Sequence, residues 1–146
     1  MDEPLIAVLV LLSFPVAWMI MLPLMARVGG WARLAEHYEA RDDFEGQRWR
    51  FESARFNRRV NYGGCLTFGA NARGLHLSTW ILFRPGHPAL FIPWSDVTMK
   101  KTTYWMFPYV ELSFRRAPER PLLIRQKLGQ HLATAAGLPW PPPEAK

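Results

Sequence analysis

The side chains able to do chemistry are few and scattered. His37, His76, His87 and His131 form no i,i+4 pair and no HExxH pattern, the spacing that sets two imidazoles on one helix face around zinc. Cys65 is the single cysteine, which excludes an internal disulfide and any zinc site built on several thiolates. A thiol becomes a nucleophile beside a base. Cys65 and His76 are the nearest candidates for such a pair, and one contact between them across a hairpin would fall far short of a catalytic constellation. There is no GxSxG elbow, no GxxxxGK[S/T] loop, and no GxGxxG after a strand. Gly69 and Gly74 punctuate a turn and lack the lysine of a phosphate loop. The sequence therefore offers no catalytic, metal-binding or cofactor-binding residues, and an enzyme is not expected.

Charge is the stronger feature. Eighteen Lys and Arg against twelve Asp and Glu give the 146-residue chain a net +6. Arg48, Arg50, Arg55, Arg58 and Arg59 crowd one stretch, interleaved with Trp49, Phe51 and Phe56. A guanidinium fork matches phosphate geometry, so these five arginines are the candidate contacts to an anionic surface. Aromatics beside arginine also suit base stacking. Here their alternation places them on a core face instead, and neither nucleic acid nor a small-molecule substrate is expected as a partner.

Something must hold such residues in place, and the first element is plain. Leu5–Ala26 carries no charge and one hydroxyl, Ser13. As a helix these 22 residues would extend about 33 Å, enough for a hydrocarbon core of about 30 Å. They lack the polar face of a soluble amphipathic helix, and one segment cannot close a barrel. A single transmembrane helix is expected, bent or capped by Pro15 and Pro23. A cleaved signal peptide would want a basic leading segment and a shorter apolar run, whereas Asp2 and Glu3 lead here. Arg27, Arg33 and Arg41 follow the helix and no basic residue precedes it. The positive-inside rule then puts the remainder in the cytoplasm, on an inner (plasma) membrane. Beyond Ala26, eighteen basic residues face ten acidic ones, a net +8 beside an anionic leaflet. The same excess is what the topology rule alone produces. Trp31, just past the exit, is expected in the headgroup layer.

Gly29-Gly30 should end the helix. Trp31, Leu34, Ala35 and Tyr38 then form one apolar stripe on a short helix, with Glu36, Glu39, Asp42 and Asp43 on its other faces. Packing or linker duty is expected of it, since surface-lying helices carry basic polar faces. From residue 47 the apolar period drops to two. It runs through Trp49/Phe51, Leu66/Phe68, Leu75/Leu77 leading into Trp80–Phe83, Leu90–Ile92, Val97/Met99, Val110/Leu112/Phe114 and Leu122–Ile124. That predicts six or seven strands in a meander. Asn71–Gly74 is expected to turn through positive φ, and prolines at 85, 88, 108, 118 and 121 break the ladders. Lys127–Ala136 predicts a helix with Leu128, Leu132 and Ala135 on one face, stopped at Gly137. Leu138–Pro143 reads as a frayed, polyproline-like tail.

Antiparallel strands capped by one C-terminal helix resemble the pleckstrin-homology-like superfold and its GRAM-type and bacterial relatives. The nearest local likeness is Gly74-Leu75-His76-Leu77-Ser78 followed by Ile92-Pro93-Trp94-Ser95-Asp96-Val97, where the Trp would anchor its strand. Gly63 to Val97 also looks like small bacterial membrane-anchored proteins without an assigned activity. The resemblance covers roughly residues 47–137. It implies binding of phosphoinositides, other lipids or proteins rather than catalysis. It also implies a basic cluster in the first inter-strand loop, where Arg58 and Arg59 fall, although the family's spaced basic motif is not clearly reproduced.

The expected architecture is thus α+β and mainly β: a transmembrane anchor (1–28), a juxtamembrane helix or linker (29–46), a PH/GRAM-like antiparallel β-barrel or sandwich capped by a helix (47–137), and a Pro-rich tail (138–146). The expected function is a membrane-anchored, non-catalytic adaptor contacting the lipid bilayer or a membrane protein partner, without cofactor. The alternative is a structural small subunit of a larger membrane complex.

Overall fold

The computed structural model describes residues 2–40 and 44–142; Arg41, Asp42, Asp43 and Pro143 lie outside them. Helix α1 spans Glu3–Gly29, about 40 Å at 1.5 Å per residue. It is long and apolar enough to cross a membrane by length and composition. Every residue from Leu5 to Met21 is exposed, whereas Leu22, Ala26 and Gly29 are buried against the rest of the chain. The freely exposed apolar stretch is therefore 17 residues, about 26 Å, shorter than the 22-residue run in the sequence.

Gly30 ends α1 at φ 127°. A Cβ there would sit 2.9 Å from Arg120 Cβ, so both conformation and space call for glycine. Helix α2 (Trp31–Tyr38) follows at once, and its stripe of Trp31, Leu34 and Tyr38 is buried in the core. Trp31 is fully buried, with its indole N–H donated to the Pro88 carbonyl at 2.8 Å and its ring edge-on to Phe56 and His87. The headgroup-layer expectation for Trp31 is thus corrected. The helix turns back at Gly30 and carries this ring into the domain.

Seven antiparallel strands follow: β1 (Gln47–Phe56), β2 (Val60–Ala70), β3 (Gly74–Thr79), β4 (Leu90–Pro93), β5 (Val97–Tyr104), β6 (Phe107–Phe114) and β7 (Ala117–Arg125). Their order in the sheet is β4-β3-β2-β1-β7-β6-β5. Every hairpin pairs neighbours in sequence. The one long-range join is β1 to β7, through Arg55↔Leu123 and Phe56↔Leu122. The core face of period-two residues buries Phe56, Leu66, Phe68, Leu75, Leu77, Val110, Leu112, Phe114, Leu122 and Ile124. Helix α3 (Gln126–Ala136) lays Leu128, Leu132 and Ala133 on that core, each leucine contributing about 1.5–3 kcal/mol by burial. It stops at Gly137, which takes the left-handed conformation at φ 73°.

Four local expectations change, the first being that Pro108 lies within β6 and Pro118 and Pro121 within β7 rather than breaking those ladders. Trp80–Phe83 does not prolong β3: Ile81–Phe83 is a single 3-10 turn with Ile81 and Leu82 exposed. Asn71–Gly74 turns without positive φ, because Asn71 Oδ1 accepts the N–H groups of Arg73 and Gly74 instead. The start of the tail is packed, with Trp140 against the core and under the Lys101 ammonium at 5.7 Å.

Candidate functional site

The five arginines separate into two groups. Arg55 and Arg58 place their guanidinium groups over the Tyr104 ring, at 5.2 and 5.4 Å, and Arg58 lies 3.8 Å from Glu111. Arg59 is exposed in the β1–β2 turn beside them. That turn meets the end of α1, where Val60 packs on Gly29. Arg48 and Arg50 stand at the opposite end of β1 and line a cleft.

The cleft is built by three strands and one turn. β2 and β3 pair in a register that sets Thr67 opposite Ser78 on one face. β1 carries Arg48 and Arg50 onto the same face. Between β3 and β4 the chain turns through residues 80–89 and folds over that face, adding Trp80, Ile81, Arg84 and His87. Two adjoining hollows of about 270 and 440 Å³ result, sharing Arg48, Thr67, Ser78, Thr79 and Arg84. Among the described residues, none of the three arginines pairs with a carboxylate.

The turn over the cleft is held from behind. His87 Nδ1 lies 2.9 Å from the Pro85 carbonyl, an acceptor, so Nδ1 carries the proton. Nε2 then accepts from the Tyr62 hydroxyl at 2.8 Å. Burial lowers the His87 pKa and raises that of Tyr62, so both stay neutral in this pair. The turn also leans on α1. Trp18 donates its indole N–H to the Leu82 carbonyl at 2.6 Å and meets the Phe83 ring edge-on at 5.1 Å. Gly86, at φ 72°, lies so close to α1 that a Cβ would fall 2.6 Å from Pro23 Cα.

Two buried polar atoms of β3 are left without partners, His76 Nδ1 on the cleft face and Thr79 Oγ1 on the opposite face that pairs with Leu66. Thr79 is 3% exposed and His76 is 8% exposed, yet Thr79 Oγ1 and His76 Nδ1 make no hydrogen bond. Orphaned buried groups cost roughly 1–3 kcal/mol each and are rare in native folds. His76 is stacked under Phe44, ring centroids 4.8 Å apart, and Gly69 leaves the room: a Cβ there would be 2.6 Å from the Phe44 ring. Burial, aided by the Arg48 charge, pushes the His76 pKa down to about 4. Arg48 itself bonds the Phe44 carbonyl at 2.8 Å and stacks on that ring.

A further irregularity borders the cleft. β1 is bulged between Trp49 and Glu52, and Phe51 sits at φ 56° with its ring 69% exposed. A bulky residue at positive φ is strained, and such strain gathers at ligand sites. Phe51, Trp80 and Ile81 form an apolar lip on the arginine-lined hollow.

The sequence-stated pair Cys65–His76 does not form. His76 pairs with Gly69, while the Cys65 carbonyl accepts from Trp80 N–H, and burial raises the Cys65 thiol pKa. Among the described residues, no group of three potential metal ligands comes together. Comparison with family models, curated proteins and solved structures finds no match to the chain.

Sequence reasoning found Arg48 and Arg50 but did not place Arg84, Thr67, His76 and Phe51 with them. Arg84 sits in a Pro-Gly turn, and only its fold-back over the sheet gives it a role. His76 alternates with Leu75 and Leu77 along β3, and its cover, Phe44, comes from another part of the chain.

Proposed function

We propose that this chain is a single-pass, membrane-anchored binding module without catalytic activity, whose basic β domain contacts anionic lipid at the surface of the membrane that α1 crosses. One observation carries the reading. A 27-residue apolar helix is docked by Leu22, Ala26 and Gly29 onto a domain with a net positive charge. Arg27 in the last turn of α1 and Arg33 after it favour a cytoplasmic domain on an inner (plasma) membrane. The PH-like relationship is supported by the meander, by β1 meeting β7 and by the helix after the last strand.

The lipid contact belongs with Arg48 and Arg50 in this reading. The turn beside them touches α1 at Trp18, eleven residues before the Gly29–Val60 contact, or about 16 Å along the helix toward the bilayer. Arg58 and Arg59 lie near the other end of that span. The test is flotation of the full chain with vesicles reconstituted after detergent removal, plus a reporter at the C-terminus that works only in the cytoplasm. Stable co-flotation and an active reporter support the reading. An inactive reporter overturns the orientation, and a chain that stays with the soluble fraction overturns the anchor.

A second reading has its own observation. The β5–β6 turn places Trp105 and Met106 at φ 50° and 69°, and Met106 is 96% exposed beside exposed Phe107. An apolar tip on an edge hairpin suits a protein partner, as a small subunit of a membrane complex would need. A stoichiometric partner recovered in detergent, and lost with Trp105→Ser and Met106→Ser, would favour it over the lipid reading.

A further inference from the structure

We propose that the cleft between the β1–β3 face and the 80–89 turn is a phosphate-binding site, and that the phosphate is carried by a phospholipid of the leaflet α1 enters. This deepens the anchored-module reading and rests on it for the lipid source alone.

Four observations converge. Arg48, Arg50 and Arg84 approach the cleft from two separate segments, and guanidinium groups are the side chains that match phosphate oxygens two at a time. Thr67 and Ser78, paired on the cleft face, supply hydroxyls between them. His76 shares that face and lines the same hollow; it is more than nine-tenths buried and its Nδ1 has no partner. A neutral ring with its proton on Nδ1 donates to a bound phosphate oxygen, which accounts for the buried ring nitrogen left open. The last observation is the lip. Phe51, Trp80 and Ile81 are exposed, and the turn holding Trp80 and Ile81 is tied to Trp18 on the outward-facing part of α1. An acyl chain leaving the cleft over that lip stays alongside the apolar helix. A water-soluble phosphate would have no use for it.

His76 enters as a neutral ring, since burial disfavours its cation. The site's positive charge comes from the three arginines.

The test uses the full-length chain in micelles of a neutral sugar detergent, titrated in separate arms with short-chain phosphatidic acid and with inorganic phosphate. Saturable phosphatidic acid binding is expected, with inorganic phosphate at least about tenfold weaker. Arg84→Gln should weaken phosphatidic acid about tenfold or more, the loss of one charge-assisted hydrogen bond. Thr67→Val fills the same space without the cleft-face hydroxyl. It should also weaken binding several-fold while the melting temperature holds or rises, which separates ligand loss from misfolding. Arg58→Gln with Arg59→Gln should leave affinity unchanged. No saturable binding in either arm overturns the site, as does wild-type affinity in both Arg84→Gln and Thr67→Val. Equal affinity for inorganic phosphate overturns the lipid source. Alkaline extraction of membranes holding the same variants reads the anchor independently, so release there counts against the anchored module and not against the phosphate site.

Discussion

Single residues set the shape of the cleft and leave measurable marks. The Tyr62–His87 bond holds the 84–88 turn from the core side. Tyr62→Phe strands a buried imidazole nitrogen and should cost about 1–3 kcal/mol, read as a lower denaturation midpoint. His76 gives a pH mark. Its folded pKa, about 4, lies below the ordinary 6.5, and His87 is shifted the same way. Between those values the unfolded chain binds more protons than the folded one, so stability rises with pH. Full stability holds above about pH 6.5 and declines as pH falls toward 4. Arg48 is the charge facing His76, and Phe44 covers the ring. Thermal melts across this range should show the decline, and His76→Phe should flatten it.

At the scale of elements, the account turns on how α1 docks. Gly86→Ala puts a methyl where Pro23 Cα stands and also forces alanine into positive φ. It should destabilise the docked turn by about 1–3 kcal/mol and break the Trp18–Leu82 hydrogen bond. Protease cleavage within 80–88 should then quicken while α3 stays protected. Most elements were legible in the sequence. Period-two apolar residues fix strands wherever one face is buried, and the stripe of α3 with its glycine stop is local information. The Trp80–Phe83 run was not legible, because four apolar residues read alike as a buried strand and as an exposed turn. Its exposure follows from the Cys65–Trp80 backbone bond, which ends the β2–β3 ladder at that point. Trp31 misled for a related reason. Its distance from the apolar run suited a headgroup anchor, but the Gly29-Gly30 bend reverses the chain and buries it. The cleft was half legible: β1 announced its arginines, while Thr67, Ser78 and Arg84 join them only through hairpin register and turn fold-back.

For the whole molecule, the domain and the apolar helix are one packed unit rather than beads on a linker. Leu22, Ala26 and Gly29 belong to both. Truncation after Ala26 therefore removes part of the domain's cover and exposes apolar surface. A chain starting at Arg27 should aggregate or melt lower than the full chain in detergent, whereas removal of residues 2–17 should leave the melt nearly unchanged. The exposed β5 edge carries Lys100 and Lys101, which discourage edge pairing, and the segment after α2 meets the β4 edge through the Glu39↔Leu90 bridge and the Ala40–Ala89 backbone bond. The most direct measurement of the central claim is the intact mass of the protein recovered from membranes washed at alkaline pH. The account predicts a chain that keeps residues 5–26 and stays in the pellet. A mature chain beginning near Arg27 in the soluble wash would contradict it.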